Sequence, residues 1–332
     1  MSIPTIINID HGSSIPKYRQ IINQIYDALN AGQLKPGQSL PSVNLLIEEL
    51  KLSRDTVFKA YQELKRSGII ESIPGKGYFI RDSRTKILLF LDKYSPFKEG
   101  LYNAMRSDLS ENYSIDLYFH HYNIDVFENV LQSGLSRYNF FIVMSIDHPG
   151  ASAILNNLRR KNVLILDVVH GAPPELPSVY QEFEFAFYSC LEEVKFKLEK
   201  YKELVFVLRP ETDHPIESAK AFKNFCCANE IKSKVVSSLK VENISRETAY
   251  IVVSDDDLVM IVEKARSESM ILGKDIGIIS YNDTPVKKVI GEGITVISTD
   301  FPEMGKQVAK FIKGPFMIRK KIPTRLIMRN SL

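Results

Sequence analysis

The stretch LSRDTVFKAYQEL (52–64) is followed, three residues later, by GIIESIPGKGYFI (68–80). In the first piece Val57, Ala60, Tyr61 and Leu64 recur at helical spacing, and Ser53 stands where an N-cap belongs. The second piece reads as two short strands, IIESI and GYFI, around the glycine-rich tip Pro74-Gly75-Lys76-Gly77. Upstream, Tyr18, Ile21, Ile22, Ile25 and Leu29 fall on one face of a helix over 16–31. Pro16 suits its first turn and Gly32 ends it. LKPGQSLPS (34–42) is a connection rich in Pro and Gly. A second helix follows, with Ser42 as its N-cap and Leu45, Leu46 and Leu50 as its core stripe. Three helices and a hairpin make a winged helix, and the second and third helices are the arms of a helix-turn-helix.

In that geometry the start of the third helix faces base edges in the major groove. Those residues are Ser53, Arg54, Asp55 and Thr56. Arg54 suits a bidentate bond to guanine or a phosphate contact, and Ser53 and Thr56 suit phosphate oxygens. Lys76, between two glycines, lets the wing backbone and one positive charge approach the sugar-phosphate chain. Residues 1–86 hold 12 Lys and Arg against 8 Asp and Glu, whereas the remainder holds 31 against 32. A basic head on a near-neutral body points to an anionic partner for the head. The alternative is a protein-binding module with a solvated basic rim.

The residues Ile15–Arg81 resemble the GntR family of bacterial transcription regulators. The resemblance rests on IPKYRQIINQI, GQLKPGQSLPSVNLLIEEL, LSRDTVFKAYQEL and GIIESIPGKGYFI. The combination of PG…LPS, SR-x-TV and G-x-GYF is specific. It implies that Ser42, Arg54, Thr56, Lys59, Lys76 and Gly77 face DNA. Asn44 stands where the family commonly carries a DNA-touching arginine. Asparagine there can read adenine or hold a phosphate.

After the polar stretch RDSRTK (81–86), strands alternate with helices. The strands KILLFLD (86–92), YNFFIVMSI (138–146), VLILDV (163–168), LVFVLR (204–209), TAYIVVS (248–254) and IGIISYN (276–282) are nearly continuous apolar runs. SIDLYFHHY (114–122) is a further strand, and GASAILNNLRR (150–160) and EFAFYSCLEEVKFKLEKY (184–201) read as helices. Such runs between amphipathic helices mean parallel sheets covered on both faces. The body is therefore expected to be two doubly wound α/β lobes. The boundaries are a winged helix over 1–82, a linker over 83–86 and the body over 87–332. Lobe one takes about 87–180 and 301–322; lobe two takes about 181–298 and 323–332.

Ligands of such sheets bind beyond the carboxyl ends of the strands. Those ends carry Asp92, Lys93 and Tyr94; Asp147 and His148; Asp167 and His170; Arg209; Asp255, Asp256 and Asp257; Asn282 and Asp283. Many of these read equally as caps or loop residues. Together, acids, amides and aromatics suit a hydroxylated neutral ligand, with Tyr94, Phe97 or Phe301 over an apolar sugar face.

The body resembles the periplasmic-binding-protein-like effector domain of the LacI/GalR regulators. The carriers are AYIVVSDDDLVMIVEKARSESMILGKDIGIISYND, ITVISTDFPEMGKQVAKFI and IPTRLIMRNS. The resemblance implies ligand contacts at Asp167, Asn282 and Asp283, and hinge and cleft lining at Ser298–Phe301. Ser218 occupies the position of the arginine that often grips ligand in this family, and Arg209 or His214 is its candidate substitute.

No P-loop, GxSxG, HExxH or CxxC pattern is present, and Cys190, Cys226 and Cys227 suit neither a disulfide framework nor a metal site. The opening MSIPTIINIDHGSS lacks a signal pattern, and no apolar run reaches the roughly 18 residues of a membrane span. The expectation is a cytoplasmic, homodimeric, non-enzymatic regulator without cofactor or metal. Its partners would be a two-fold symmetric operator and a small effector, a monosaccharide, without any membrane. A pyridoxal-phosphate-type fusion enzyme and a free solute-binding protein are the alternatives. The body is roughly a hundred residues too short for the first, and the head argues against the second.

Overall fold

The computed structural model describes residues 7–82, 84–158, 162–212, 214–314 and 317–332. The chain divides into two compact units, Met1–Arg84 and Thr85–Leu332.

The first unit holds α1 (Lys17–Asn30), α2 (Val43–Leu50), α3 (Arg54–Arg66), β1 (Ile70–Ile73) and β2 (Gly77–Ile80). Ile21, Ile25, Leu46, Val57, Ala60, Tyr61, Leu64, Ile70 and Ile80 are buried in one cluster. Tyr61 reaches across it and donates its hydroxyl to the Pro41 carbonyl at 2.8 Å. Leu45, expected in the core stripe of α2, is 40% exposed. The α2 helix is only eight residues long; Leu46 is its fully buried residue, and Val43, Ile47 and Leu50 pack half-buried against the cluster. β1 and β2 form the antiparallel hairpin, with Ser72 opposite Tyr78. Ser39 bridges to Phe79, so the Pro/Gly connection adds a short third strand to the wing.

The second unit has two six-stranded sheets. Lobe one contains β3 (Thr85–Leu91), α4 (Pro96–Asp108), β4 (Tyr113–Phe119), α5 (Ile124–Gly134), β5 (Phe140–Met144), α6 (Ala151–Asn156), β6 (Asn162–Asp167) and β7 (Ser178–Tyr180). Lobe two contains α7 (Glu184–Glu193), α8 (Lys195–Leu198), β8 (Glu203–Val207), α9 (Glu217–Ala228), β9 (Ser233–Val236), β10 (Thr248–Val252), α10 (Asp255–Ser267), β11 (Ile276–Tyr281) and β12 (Thr295–Thr299). The chain returns to lobe one for α11 (Phe301–Lys313) and β13 (Arg319–Lys321), then ends in lobe two with β14 (Thr324–Ile327). The sheet orders are β13-β7-β6-β5-β3-β4 and β14-β12-β11-β10-β8-β9. Every pairing in them is parallel except β12 with β14.

The central strands β3, β5 and β6 of one sheet and β8, β10 and β11 of the other are covered on both faces, which is why they are nearly continuous apolar runs. Helices α4 and α11 pack closely because residue 305 is glycine. A Cβ there would lie 2.2 Å from the Leu101 carbonyl oxygen. The chain crosses between lobes three times, after β7, β12 and β13.

Four expectations change. The linker over 83–86 is shorter, because Thr85 and Lys86 already pair with Tyr113 and Ser114 in the sheet; Ser83 lies outside the described residues. The helix read over 184–201 breaks at Val194 into α7 and α8. The strand read through His120 and His121 stops at Phe119, since His121 and Tyr122 adopt positive φ. The helix read over 150–160 ends at Asn156, and Arg159 and Arg160 lie outside the described residues.

Candidate functional site

On the first unit, Ser42, Asn44, Ser53, Arg54, Lys59, Lys76 and Gly77 are exposed and Thr56 is half-buried. Ser42 caps α2, accepting from the Leu45 amide at 3.2 Å. Ser53 caps α3, accepting from the Thr56 amide at 3.3 Å, and its hydroxyl meets that of Thr56 at 2.8 Å. One hydroxyl hydrogen is spent between them, so the pair retains one for a phosphate oxygen. Lys59 lies with its ammonium 4.1 Å from the Tyr18 ring centroid, a cation–π contact to α1. Gly75 and Gly77 have φ of 73° and 106°, which the tight wing tip requires. Phe58, one turn after Arg54, is 45% exposed and lies outside the hydrophobic cluster. The sequence reading passed over it, although its place off the Val57/Ala60/Tyr61/Leu64 stripe was visible.

In the second unit a cleft of about 450 Å³ opens at the carboxyl ends of the strands, between the lobes. Asp92, Phe97, Lys98, Tyr122 and Asp167 come from lobe one; Arg209, His214, Asp255, Tyr281, Asn282 and Lys287 come from lobe two. Asp92 accepts from Tyr122 Oη at 2.7 Å, from the Lys93 amide at 2.7 Å and from the Lys98 ammonium. Burial raises its pKa, but the Lys98 charge and these donors prevail and hold it below the ordinary value. Asp167 differs. Burial, with the Asp92 charge adding, pushes its carboxyl up to about 6, against the pull of Lys98 and Gln181. Arg209 forks onto the buried carboxylate of Asp257 at 2.8 and 2.6 Å. Lys287 is buried and bonds Asp255 and the carbonyls of Tyr281 and Asn282.

Asp167 and Asn282 both adopt left-handed backbone, at φ 68° and 61°. Strain of this kind at two facing strand ends is typical of binding sites. Asn282 Oδ1, Tyr281 Oη and Ser95 Oγ are buried with no partner among the described residues. His214 bonds Ser218 Oγ at 2.8 Å and rests edge-on to Tyr281 at 4.4 Å. Burial drives its pKa down to about 3, so the ring is neutral. It therefore presents no positive charge where an arginine would.

Of the expected ligand residues, Asp92, Phe97, Asp167 and Asn282 line this cleft. Asp147 lines an adjoining chamber instead. Tyr94 is 69% exposed and does not line the cleft. Asp283 is tied to Arg329 at 2.8 and 2.7 Å and turns away. Phe301 is 2% exposed and supports Phe97 from behind, with centroids 4.7 Å apart. The reading missed Lys98, Tyr122, Gln181, Tyr281 and Lys287. Lys98 had a signal, because it sits on the Leu101/Met105 stripe of α4, where a lysine is out of place. Among the described residues there is no His/Cys/Asp/Glu group able to hold a metal ion, and no helix is long and apolar enough to cross a membrane.

A winged-helix head joined to a two-lobed α/β body with an interlobe cleft defines a DNA-binding transcription regulator with a LacI-like, periplasmic-binding-protein-like domain. The model of the bacterial regulatory proteins, gntR family, matches residues 17–80. The HTH-type transcriptional repressor YtrA of Bacillus subtilis (strain 168) is 43% identical over 96 residues, 29% of this chain and 73% of that protein. The chain belongs to the GntR family. The body's fold has its likeness elsewhere. The trehalose repressor from Escherichia coli superposes with a TM-score of 0.62 at 15% identity, over 74% of this chain and 100% of that one. The Lac repressor bound to ONPG in the repressed state gives 0.60 at 16% identity, over 84% and 90%.

Proposed function

We propose that the protein is a cytoplasmic, ligand-responsive regulator that binds a two-fold symmetric operator as a homodimer. Its body senses a small neutral sugar in the cleft, and its operator controls genes of carbohydrate use. The observation that carries this reading is the lining of the cleft. Four cations (Lys93, Lys98, Arg209, Lys287) and four carboxyl groups (Asp92, Asp167, Asp255, Asp256) line it, together with the orphaned polar atoms of Ser95, Tyr281 and Asn282 and the rings of Phe97 and Phe183. A balanced polar wall with an apolar platform suits hydroxyls and a sugar face better than a phosphate. The trehalose repressor's name agrees with that class.

Ligand draws the lobes together, the paired bodies rearrange, and the two heads change their fit to the half-sites. A useful switch needs roughly 10–100-fold difference in ligand affinity between the two states, or about 1–3 kcal/mol. A thermal-shift panel of monosaccharides, disaccharides, sugar phosphates and nucleosides, read beside gel shifts on upstream DNA, tests it. A sugar should raise the melting temperature and alter operator binding. Asn282→Ala and Asp167→Ala should each weaken it by roughly 5- to 150-fold, the worth of an unpaired buried partner. A flat response over the whole panel would end the sensor reading.

A further inference from the structure

Beside the main cleft lies a second chamber of about 400 Å³. The two share Asp92, Tyr122 and Asp167 on lobe one and His214 and Pro215 on lobe two, so they meet along a common rim. The second chamber adds Ser145, Asp147, His148, His170 and Glu217. Three observations separate it from ordinary loop packing.

First, it is built around orphans. Ser145 is 5% exposed, and its Oγ has no partner among the described residues. Glu217 Oε2 is likewise buried and unpartnered, while its Oε1 stands 3.9 Å from His170 Nε2. A buried acceptor left without a donor is destabilising, and such groups persist where something else satisfies them. Second, the charge changes sign between chambers. Lys93, Lys98, Arg209 and Lys287 all line the main cleft, and among the described residues no lysine or arginine lines the second. Asp147 and Glu217 leave it acidic. Third, both lobes build it: Ser145 and Asp147 follow β5, whereas Glu217 opens α9. An occupant would therefore be gripped from both sides.

We propose that this chamber is a second subsite of the effector cleft, taking a hydrogen-bond-donating unit that is neutral or amine-bearing, so that the effector is a two-unit glycoside. Ser145 Oγ and Glu217 Oε2 receive or exchange hydrogen bonds with that unit's hydroxyl or ammonium groups. A phosphate or carboxylate on the unit is disfavoured, because it would meet Asp147 and Glu217 with neither lysine nor arginine among the described lining residues to offset it. The inference rests on the reading of the cleft as a sugar sensor.

The test uses the full chain and calorimetric titration. The probes are sucrose, trehalose, maltose, lactose, cellobiose and the glucosamine dimer of chitosan. Their component monosaccharides, glucose 6-phosphate and trehalose 6-phosphate complete the set. At least one unphosphorylated two-unit sugar should bind tenfold or more tighter than either of its components. Ser145→Ala and Glu217→Gln should collapse that ratio by fivefold or more. Ser145→Ala removes a hydroxyl with no partner among the described residues, so the ligand-free melting temperature should not fall. The subsite is overturned if a monosaccharide or a phosphorylated sugar binds tightest, or if the variants leave the ratio intact. A fall in the ligand-free melting temperature of Ser145→Ala, with the ratio intact, would make Ser145 a packing residue. Binding of single sugars with no gain from the second ring overturns the subsite alone. No binding by any sugar removes the sensor reading and the subsite together.

Discussion

Thr299 donates its hydroxyl to Gln181 Oε1 at 2.6 Å, joining the second crossover between the lobes to the first. The same hydroxyl meets Thr324 Oγ1 at 2.7 Å, on the third crossover. At the other end, Gln181 Nε2 donates to Asp167 Oδ1 in the cleft. One chain of hydrogen bonds thus runs from a cleft carboxyl through all three strands that the lobes must bend to move. Asp167, Gln181 and Thr299 are each under 10% exposed, so water cannot readily replace a broken link.

Breaking that chain should separate ligand binding from ligand response. Thr299→Val and Gln181→Leu each leave buried partners unsatisfied, at about 1–3 kcal/mol. For a body of this size that lowers the melting temperature by roughly 2–10 °C. Operator affinity without ligand should stay within twofold, while the ligand-induced change in operator affinity shrinks at least fivefold. Gel shifts with and without ligand check both numbers. A normal response in both variants would make the chain a purely structural tie.

Lys98→Met should be among the more damaging single changes in lobe one. Lys98 is 5% exposed, and its ammonium holds Asp92 and the Lys93 carbonyl. Its removal strands a half-buried carboxylate, which costs up to about 3–5 kcal/mol. Asp92→Asn in the same chain removes the stranded charge, so the double variant should regain a large part of the loss. Denaturant unfolding of the single and double variants measures it. Equal stability for both would show that the pair does not couple.

The architecture was legible because its cause is local. Uniformly apolar strands such as Phe140–Met144 can only lie in a sheet covered on both faces, and Ser53 followed by the Val57/Ala60/Tyr61/Leu64 stripe can only be a capped amphipathic helix. The short strands Ser178–Tyr180, Ser233–Val236 and Arg319–Lys321 were not legible, because pairing with a neighbour, not pattern, makes them strands. Asp92, Asp167 and Asn282 followed from strand ends, because they sit where the topology puts ligands. Asp283 and Phe301 misled for a physical reason. Each is adjacent in sequence to a lining or hinge residue, but Asp283 is drawn to Arg329, 46 residues away, and Phe301 into the core. Gln181 carried no sequence signal, because its partners Asp167 and Thr299 come from distant segments.

Acid should destabilise the body before any carboxylate titration dominates. His120 is fully buried; its Nδ1 accepts from the Tyr122 amide at 3.1 Å and its Nε2 lies 3.2 Å from the Met144 carbonyl. Burial lowers its pKa to about 4. The unfolded chain binds this proton near pH 6.5, so the stability His120 supports is complete above that value and is lost as pH falls toward 4. At pH 5 the loss is about 2 kcal/mol. His214, at the cleft wall, shifts in the same direction. Asp167 opposes them. Its raised pKa means the fold gains about 1 kcal/mol as pH drops from 7 to 5. Urea unfolding between pH 7.5 and 5 should therefore show a net fall, and His120→Gln should flatten it. An unchanged slope in that variant would place the acid sensitivity elsewhere.

The reading surface of α3 yields the sharpest test of how the head meets DNA. Arg54 and Phe58 are four residues apart on one exposed helix face, so their side chains are neighbours. Arginine pairs with the O6/N7 edge of guanine, and an aromatic ring packs on the methyl group of thymine. The expected pattern is a guanine and a nearby thymine in each half-site. Arg54→Ala should lose about 1–3 kcal/mol of operator affinity and relax the choice at the guanine. Phe58→Ala should relax the choice at the thymine. Replacing that thymine by uracil removes only the methyl group, so it should weaken the natural protein and leave Phe58→Ala indifferent. Lys76→Ala, at the wing, should weaken all sequences alike and reduce the slope of log affinity against log salt by about 1. Neither α3 variant should alter the melting temperature of the body, because the two units are separately compact. Gel shifts on a selected operator, with thymine and with uracil, measure the set. Should Phe58→Ala keep its sensitivity to uracil, the ring does not touch that base, and the docking of α3 must be turned about its axis.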